Sequence, residues 1–189
     1  MNFLHKKTRL FSRLDVFYLT LPSKKVMIYS NENVRRRDRL LSEERALQLL
    51  EEGEYGFLSM VNDENEGAYG IPISFVWDRG DYIYLHCAPQ GHKLRCIAKQ
   101  PRVSFCVVGR TNVLSSKFTT EYESIVIDCT ASIGLTSEER MNALHLLLQK
   151  YSPNDIDMGM TYAEKSFSRT EIIRLHISTM SGKAKAVKI

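Results

Sequence analysis

The residues best placed to do chemistry in this 189-residue chain lie in the run Leu85 to Leu94, LHCAPQGHKL, where an alternating apolar stretch gives way to glycine and a basic pair. The pattern predicts a strand, Tyr82-Ile83-Tyr84-Leu85-His86, a break at Pro89 to Gly91, and a helix from His92 to Lys99. A helix start presents outward amides with partial positive charge, Lys93 adds a full charge, and Gly91 lets an anion approach the main chain closely. These properties suit a phosphate, and they fit an ordinary surface turn with a solvated lysine as well. A second run, Gly70 to Trp77 (GIPISFVW), contains Pro72. Proline removes one ladder donor, so this run is an edge strand or an irregular one in which the amides of Ile73 and Ser74 can face a ligand. A third run, Lys117 to Ser124 (KFTTEYES), reads as a binding loop or a solvated connection.

Other catalytic and metal signatures are missing. The chain has no GxSxG, HExxH, P-loop or GxGxxG pattern, and its five histidines are scattered. His86 and His92 form the only close pair, without the regular spacing of a zinc site, so no metal is expected. His86 stands out as an imidazole able to exchange a proton near neutral pH.

These residues need a scaffold, and the apolar pattern supplies one. Ser42 caps a helix with Glu43 and Glu44 in its first turn and a stripe through Ala46, Leu49 and Leu50 until Gly53. Strands are expected at Tyr55 to Val61 and Tyr69 to Trp77, joined by the polar run Asn62 to Gly67. Further strands are expected at Tyr82 to Cys87, Val103 to Val108, Glu123 to Leu135 and Glu171 to Ile177. Thr136 to Tyr151 reads as a helix stopped by Pro153, and Asn154 to Ser168 as mixed, with a turn or two of helix. Six strands joined largely by hairpins favour a mainly β (α+β) fold, an antiparallel split barrel with short flanking helices, over a parallel sheet.

Composition narrows the class. A chain 43% hydrophobic and 25% charged is globular. Its net charge of +4 divides into +7 over residues 1–39 and −3 over residues 40–189. The basic charge therefore sits in a leading segment, and no nucleic-acid partner is expected. Residues 1–33 read as a basic extension outside the core, and residues 34–189 as the folded domain. Arg13 and Asp15 interrupt the apolar part of the extension, and no small-residue cleavage site follows, so it makes a poor signal peptide. No run reaches the roughly 20 apolar residues of a membrane span. Cys87, Cys96, Cys106 and Cys129 stand singly, as reduced thiols of a cytoplasmic protein do.

Taken in order, RRRDR, GFLS, GIPISFVW, IYLHCAPQGHKL, PRVSFCVVG, KFTTEYES, KYSP, IIRLHI and SGK resemble the pyridoxamine 5'-phosphate oxidase-like FMN-binding split-barrel proteins. The resemblance is to their 5-nitroimidazole antibiotic resistance branch and covers roughly residues 35–185. It implies FMN, with FAD as the other candidate, NADH or NADPH as donor, and a homodimer with flavin at the subunit interface. Carried over by position, Gly91, His92 and Lys93 hold the phosphate and His86, Cys87 and Ala88 follow the ribityl chain. Pro72, Ile73, Ser74 and Phe75 present main chain to the ring, with Ser59 close by. Phe167 stands near the ring where many relatives have tryptophan. The function implied is an FMN-dependent oxidoreductase reducing nitroimidazole-like or other small acceptors, with His86 as the catalytic candidate. Two alternatives remain: a flavin carrier or sensor without turnover, and a haem-binding split barrel with His86, His92 or His176 as axial ligand.

Overall fold

The computed structural model describes residues 27–64 and 66–187. Capping sets the first helix, α1 (Glu43–Glu52): the Ser42 side chain accepts a hydrogen bond from the Arg45 amide at 3.2 Å, and Gly53 closes the other end on the Leu49 carbonyl. Before it lies a short strand, β1 (Ile28–Tyr29). After it come β2 (Tyr55–Val61), β3 (Ala68–Ser74), β4 (Val76–Trp77), β5 (Tyr82–Cys87) and helix α2 (His92–Lys99). Two long strands follow, β6 (Arg102–Leu114) and β7 (Thr119–Ser132). Helices α3 (Ser137–Tyr151) and α4 (Ile156–Ser166) come next, and strand β8 (Glu171–Lys185) closes the fold.

The strands form one sheet in the order β3-β2-β6-β7-β8-β5-β4, with β1 pairing β8 in parallel and all other pairs antiparallel. The two ends of this path are consecutive in the chain, because β3 and β4 are separated only by Phe75. The sheet therefore curls until its edges meet at one residue without a closing ladder, which is the split-barrel architecture. Phe75 is fully buried, and its ring meets Phe105 edge to face at 5.1 Å.

Strand alternation sends one set of side chains inward. Leu58, Phe105, Ile125, Ile127, Ile173, Leu175, Ile177, Ile83 and Leu85 are all fully buried there, closed over by Leu49 and Leu50 of α1 and Leu94 and Ile97 of α2. A smaller cluster on the opposite face packs Ala143 and Leu147 of α3 against Val76, Tyr84 and Ile172. The helices α3 and α4 thus cover only the β4-β5-β8 end of the outer face.

Among the described residues eight strands replace the six expected. Tyr69 to Trp77 breaks at Phe75 into β3 and β4, and β1 adds an eighth. Residues 27–33 pack on the body: Met27 is buried, and Asn31 accepts from the Gly182 amide at 2.9 Å. Residues 1–26 of the expected extension lie outside the described residues. Among the described residues no helix is long and apolar enough to cross a membrane.

Candidate functional site

The expected phosphate grip sits where β5 gives way to α2. Gly91 is the residue before the helix, at φ +151°, a conformation that favours glycine, and a side chain placed there would meet open space. Among the described residues no side chain caps α2, and the Leu94 and Arg95 amides turn back to the Gly91 carbonyl at 3.2 and 3.3 Å. The amides of His92 and Lys93 are thereby left facing outward at the positive end of the helix. Lys93 forms no hydrogen bond or ion pair among the described residues, and its charge acts on Cys87. Burial pushes the Cys87 thiol up, and Lys93 partly counters it. Gly91 and Lys93 thus form an open cationic cradle.

His92 belongs to a different set of contacts. Its Nε2 lies 2.6 Å from Asp63 Oδ1 and 3.1 Å from Asn62 Oδ1, both in the β2–β3 hairpin, and its ring stacks on Tyr69 with centroids 4.1 Å apart. Its imidazole faces a carboxylate.

The second half of the site is an apolar cavity of about 260 Å³ between the outer face of β5 and the helix pair α3–α4. Ser74 and His86 enter it from the sheet; Leu144, Leu147, Leu148 and Tyr151 line it from α3, and Ala163 from α4. Although His86 keeps substantial exposure, the protein packed around it pushes its imidazole below the ordinary 6.5. The neutral ring is favoured there. Gly159 of α4 faces Leu148 of α3, and a side chain at that position would have to displace the end of the Leu148 side chain.

Two expected site residues, Ser74 and His86, thus share one cavity, while Gly91 and Lys93 form the cradle. Ser59 and Pro72 stand on the outer face, on neighbouring strands, with Ser59 between Gly70 and Ser104 and Pro72 opposite Phe57. Ile73 sits opposite Gly56 on the same ladder, and Ala88 is exposed just past the end of β5.

A sequence profile described as Pyridoxamine 5'-phosphate oxidase matches residues 42–184. The chain belongs to the pyridoxamine 5'-phosphate oxidase family. The match takes in both the cradle and the cavity. No curated protein sequence matches this family member. Solved structures of the same fold include a Bacteroides thetaiotaomicron protein whose proposed role is 5-nitroimidazole antibiotic resistance. It is 16% identical, with TM-score 0.63, over 77% of this chain and 86% of that one. An FAD and haem binding protein from Mycobacterium smegmatis is 20% identical, with TM-score 0.64, over 79% and 74% of the two chains. The flavocytochrome Anf3 from Azotobacter vinelandii is 15% identical, with TM-score 0.64, over 77% and 68%.

Within this family member the remaining expected residues lie outside both halves. The Phe75 side chain is core, and its main chain is engaged: its amide donates to Tyr151 Oη at 3.0 Å, and that hydroxyl lies 2.8 Å from the Phe75 carbonyl and 2.7 Å from the Glu54 carbonyl. Phe167 packs beneath the Arg140 guanidinium, 4.1 Å from its ring centre, next to the cavity residues Ser166 and Thr170 without lining it. His176 packs against the Tyr82 ring at 5.5 Å. Tyr151, Asn62 and Asp63 carried no chemical signal in the sequence. Tyr151 looked like the end of a helix stripe, and the other two like hairpin polarity.

Proposed function

We propose that this chain is a homodimeric flavin-dependent oxidoreductase that takes electrons from NADH or NADPH and reduces nitroimidazole-like or other small acceptors. The observation that carries the flavin reading is the uncapped start of α2 beside Gly91 and the unpaired Lys93. Two outward amides, a helix dipole and a lysine without an ion pair among the described residues suit a phosphate monoester. FMN fits this cradle directly, and FAD fits through the phosphate next to its ribityl chain. A bound flavin supplies hydride acceptance and onward electron transfer. The chain's own part is to hold the phosphate at the α2 amides and Lys93 and to keep water from the apolar cavity. His86 there gives or takes a proton at an imidazole nitrogen.

The homodimer rests on the uncovered part of the outer sheet face. Cross-strand register sets Pro72, Phe57, Cys106 and Val126 side by side on four strands, with Phe57 46% and Val126 45% exposed, and Tyr55 and Val108 extend the patch. A row of large apolar side chains left bare on a sheet is what an obligate interface covers. Ser59 lies on the same face, so a flavin ring near it would meet both subunits.

A haem reading has one observation in its favour: a neutral imidazole, His86, at an apolar cavity walled by leucines, the setting of an axial ligand. Absorption spectra of the purified chain separate the readings. Flavin bands that bleach under anaerobic NADH or NADPH are the expected result; flavin that stays oxidised leaves a carrier or sensor, and a Soret band without flavin favours haem. Lys93→Ala should weaken FMN binding by about tenfold or more, since it removes a charge-assisted contact. Unchanged retention of flavin would remove the cradle from the argument.

A further inference from the structure

We propose that Asp63, His92 and Cys96 form a binding site for a zinc-class divalent cation that ties the β2–β3 hairpin to α2. One carboxylate oxygen, one imidazole nitrogen and one thiol sulfur lie within 4.8 Å of one another. His92 and Cys96 are four residues apart on α2, so both project from one helical face, and the hairpin brings Asp63 opposite them. Nitrogen, sulfur and oxygen donors in a set of three are the ligand chemistry of Zn²⁺ with one coordination position open.

The contacts around the cluster hold it in this arrangement. Arg95 Nε donates to Asp63 Oδ2 at 2.8 Å, and Lys99 Nζ donates to the Asp63 main-chain oxygen at 3.0 Å. The hairpin is thereby pinned to α2, and the other carboxylate oxygen is turned inward. That oxygen, Oδ1, lies 2.6 Å from His92 Nε2 and 3.5 Å from Cys96 Sγ. Asn62 Oδ1, 3.1 Å from the same Nε2, supplies a neutral oxygen for the open position. Cys96 is fully buried, while the side chains of Asp63 and His92 keep 13% and 27% exposure, so an ion has a way in.

The hydrogen bonds inside the cluster mark where the cation goes. Their protons, on His92 Nε2 and Cys96 Sγ, are those that metal coordination displaces. Bonds of about 2.0–2.2 Å to nitrogen and oxygen set those two ligands roughly 3.3 Å apart in a tetrahedron, so the Asp63–His92 contact opens by under about 1 Å. One thiolate and one carboxylate balance a divalent charge. A phosphate is disfavoured at the same place because the Asp63 carboxylate repels it. The site is therefore separate from the Lys93 cradle and stands whether or not a flavin binds there.

The test uses the full-length protein, stripped with a chelator and titrated with Zn²⁺ and with Co²⁺ as the spectroscopic probe. The expected result is one ion per chain and a thiolate-to-Co²⁺ charge-transfer band. Cys96→Ser and Asp63→Asn should each weaken binding by about a hundredfold or more, and Lys93→Ala should leave it unchanged. Absence of the charge-transfer band overturns the proposal. So does full affinity in Asp63→Asn, whose change lies in the hairpin and leaves the core untouched, so this arm stands even if Cys96→Ser fails to fold.

Discussion

The two halves of the candidate site begin on one strand and have opposite physical characters. At the end of β5, His86 points to the outer face and enters an apolar cavity walled by α3 and α4, where desolvation favours the neutral imidazole. A few residues later the chain opens at Gly91, and Lys93 stands beside bare helix amides without an ion pair among the described residues. Strand alternation and one glycine thus put an apolar pocket and a cationic cradle within one short segment. Positive charge and apolar lining lie on different helices, α2 and α3–α4, so each can be disturbed alone.

Phe75 is where the two halves depend on a common support. Its ring fills the point at which the sheet's edges meet, against Phe105, with the Lys150 ammonium 3.9 Å from its centre. Phe75→Ala should cost about 3–5 kcal/mol in urea unfolding and loosen cradle and cavity together. A loss under about 1 kcal/mol would show that the edges are held by other contacts.

Gly91→Ala should separate the halves. A side chain meets no neighbour there, so the cost is backbone strain at φ +151°, about 1–3 kcal/mol, and it falls on the start of α2. Titration with FMN should show weaker binding by about fivefold or more at that cost, with most of the helical signal in circular dichroism retained. Equal FMN affinity in the variant would mean that the glycine serves the turn alone.

Tyr151→Phe acts on the cavity side, with a smaller effect. The hydroxyl accepts from the Phe75 amide and donates to the carbonyl of Phe75 or Glu54, so its removal leaves the amide of the buried Phe75 unpaired. The expected loss is about 1–2 kcal/mol in urea unfolding, with FMN binding at the cradle retained. Loss of the flavin along with the hydroxyl would tie the cavity wall to cofactor retention and undo the division.

Local pattern made part of this arrangement legible. The cap at Ser42, the strand Tyr82 to Cys87 and the helix His92 to Lys99 follow from short-range chemistry, and the structure has each of them. The extra lengths of β6, β7 and β8 do not: apart from the buried Met180, Ser178 to Lys185 is polar or small, and it becomes strand because β7 offers it a ladder. Helix α4 (Ile156–Ser166) exceeds the turn or two expected in Asn154 to Ser168, because its apolar side is completed only by packing on α3. The cradle could be read because it is contiguous in sequence. The cavity could not, since Ser74, His86, Leu147 and Ala163 come from four separate elements. Asp63 likewise gains meaning only when the hairpin folds onto α2.

The smallest effect isolates His86 and tests whether the cavity is dry in solution. Its folded pKa lies below the ordinary 6.5, and burial is the cause. Below pH 6.5 the unfolded chain binds a proton that the native state refuses, so the native state loses stability as pH falls through 6.5 toward the depressed value, and it keeps full stability above. His86→Gln removes that proton linkage while the other histidines stay. Unfolding free energies of parent and variant, measured between about pH 8 and pH 5, should therefore converge or cross toward the acid end, with the parent falling more steeply. Parallel curves would mean that His86 titrates as it does in water, and the contrast between the two halves would then rest on the cradle alone.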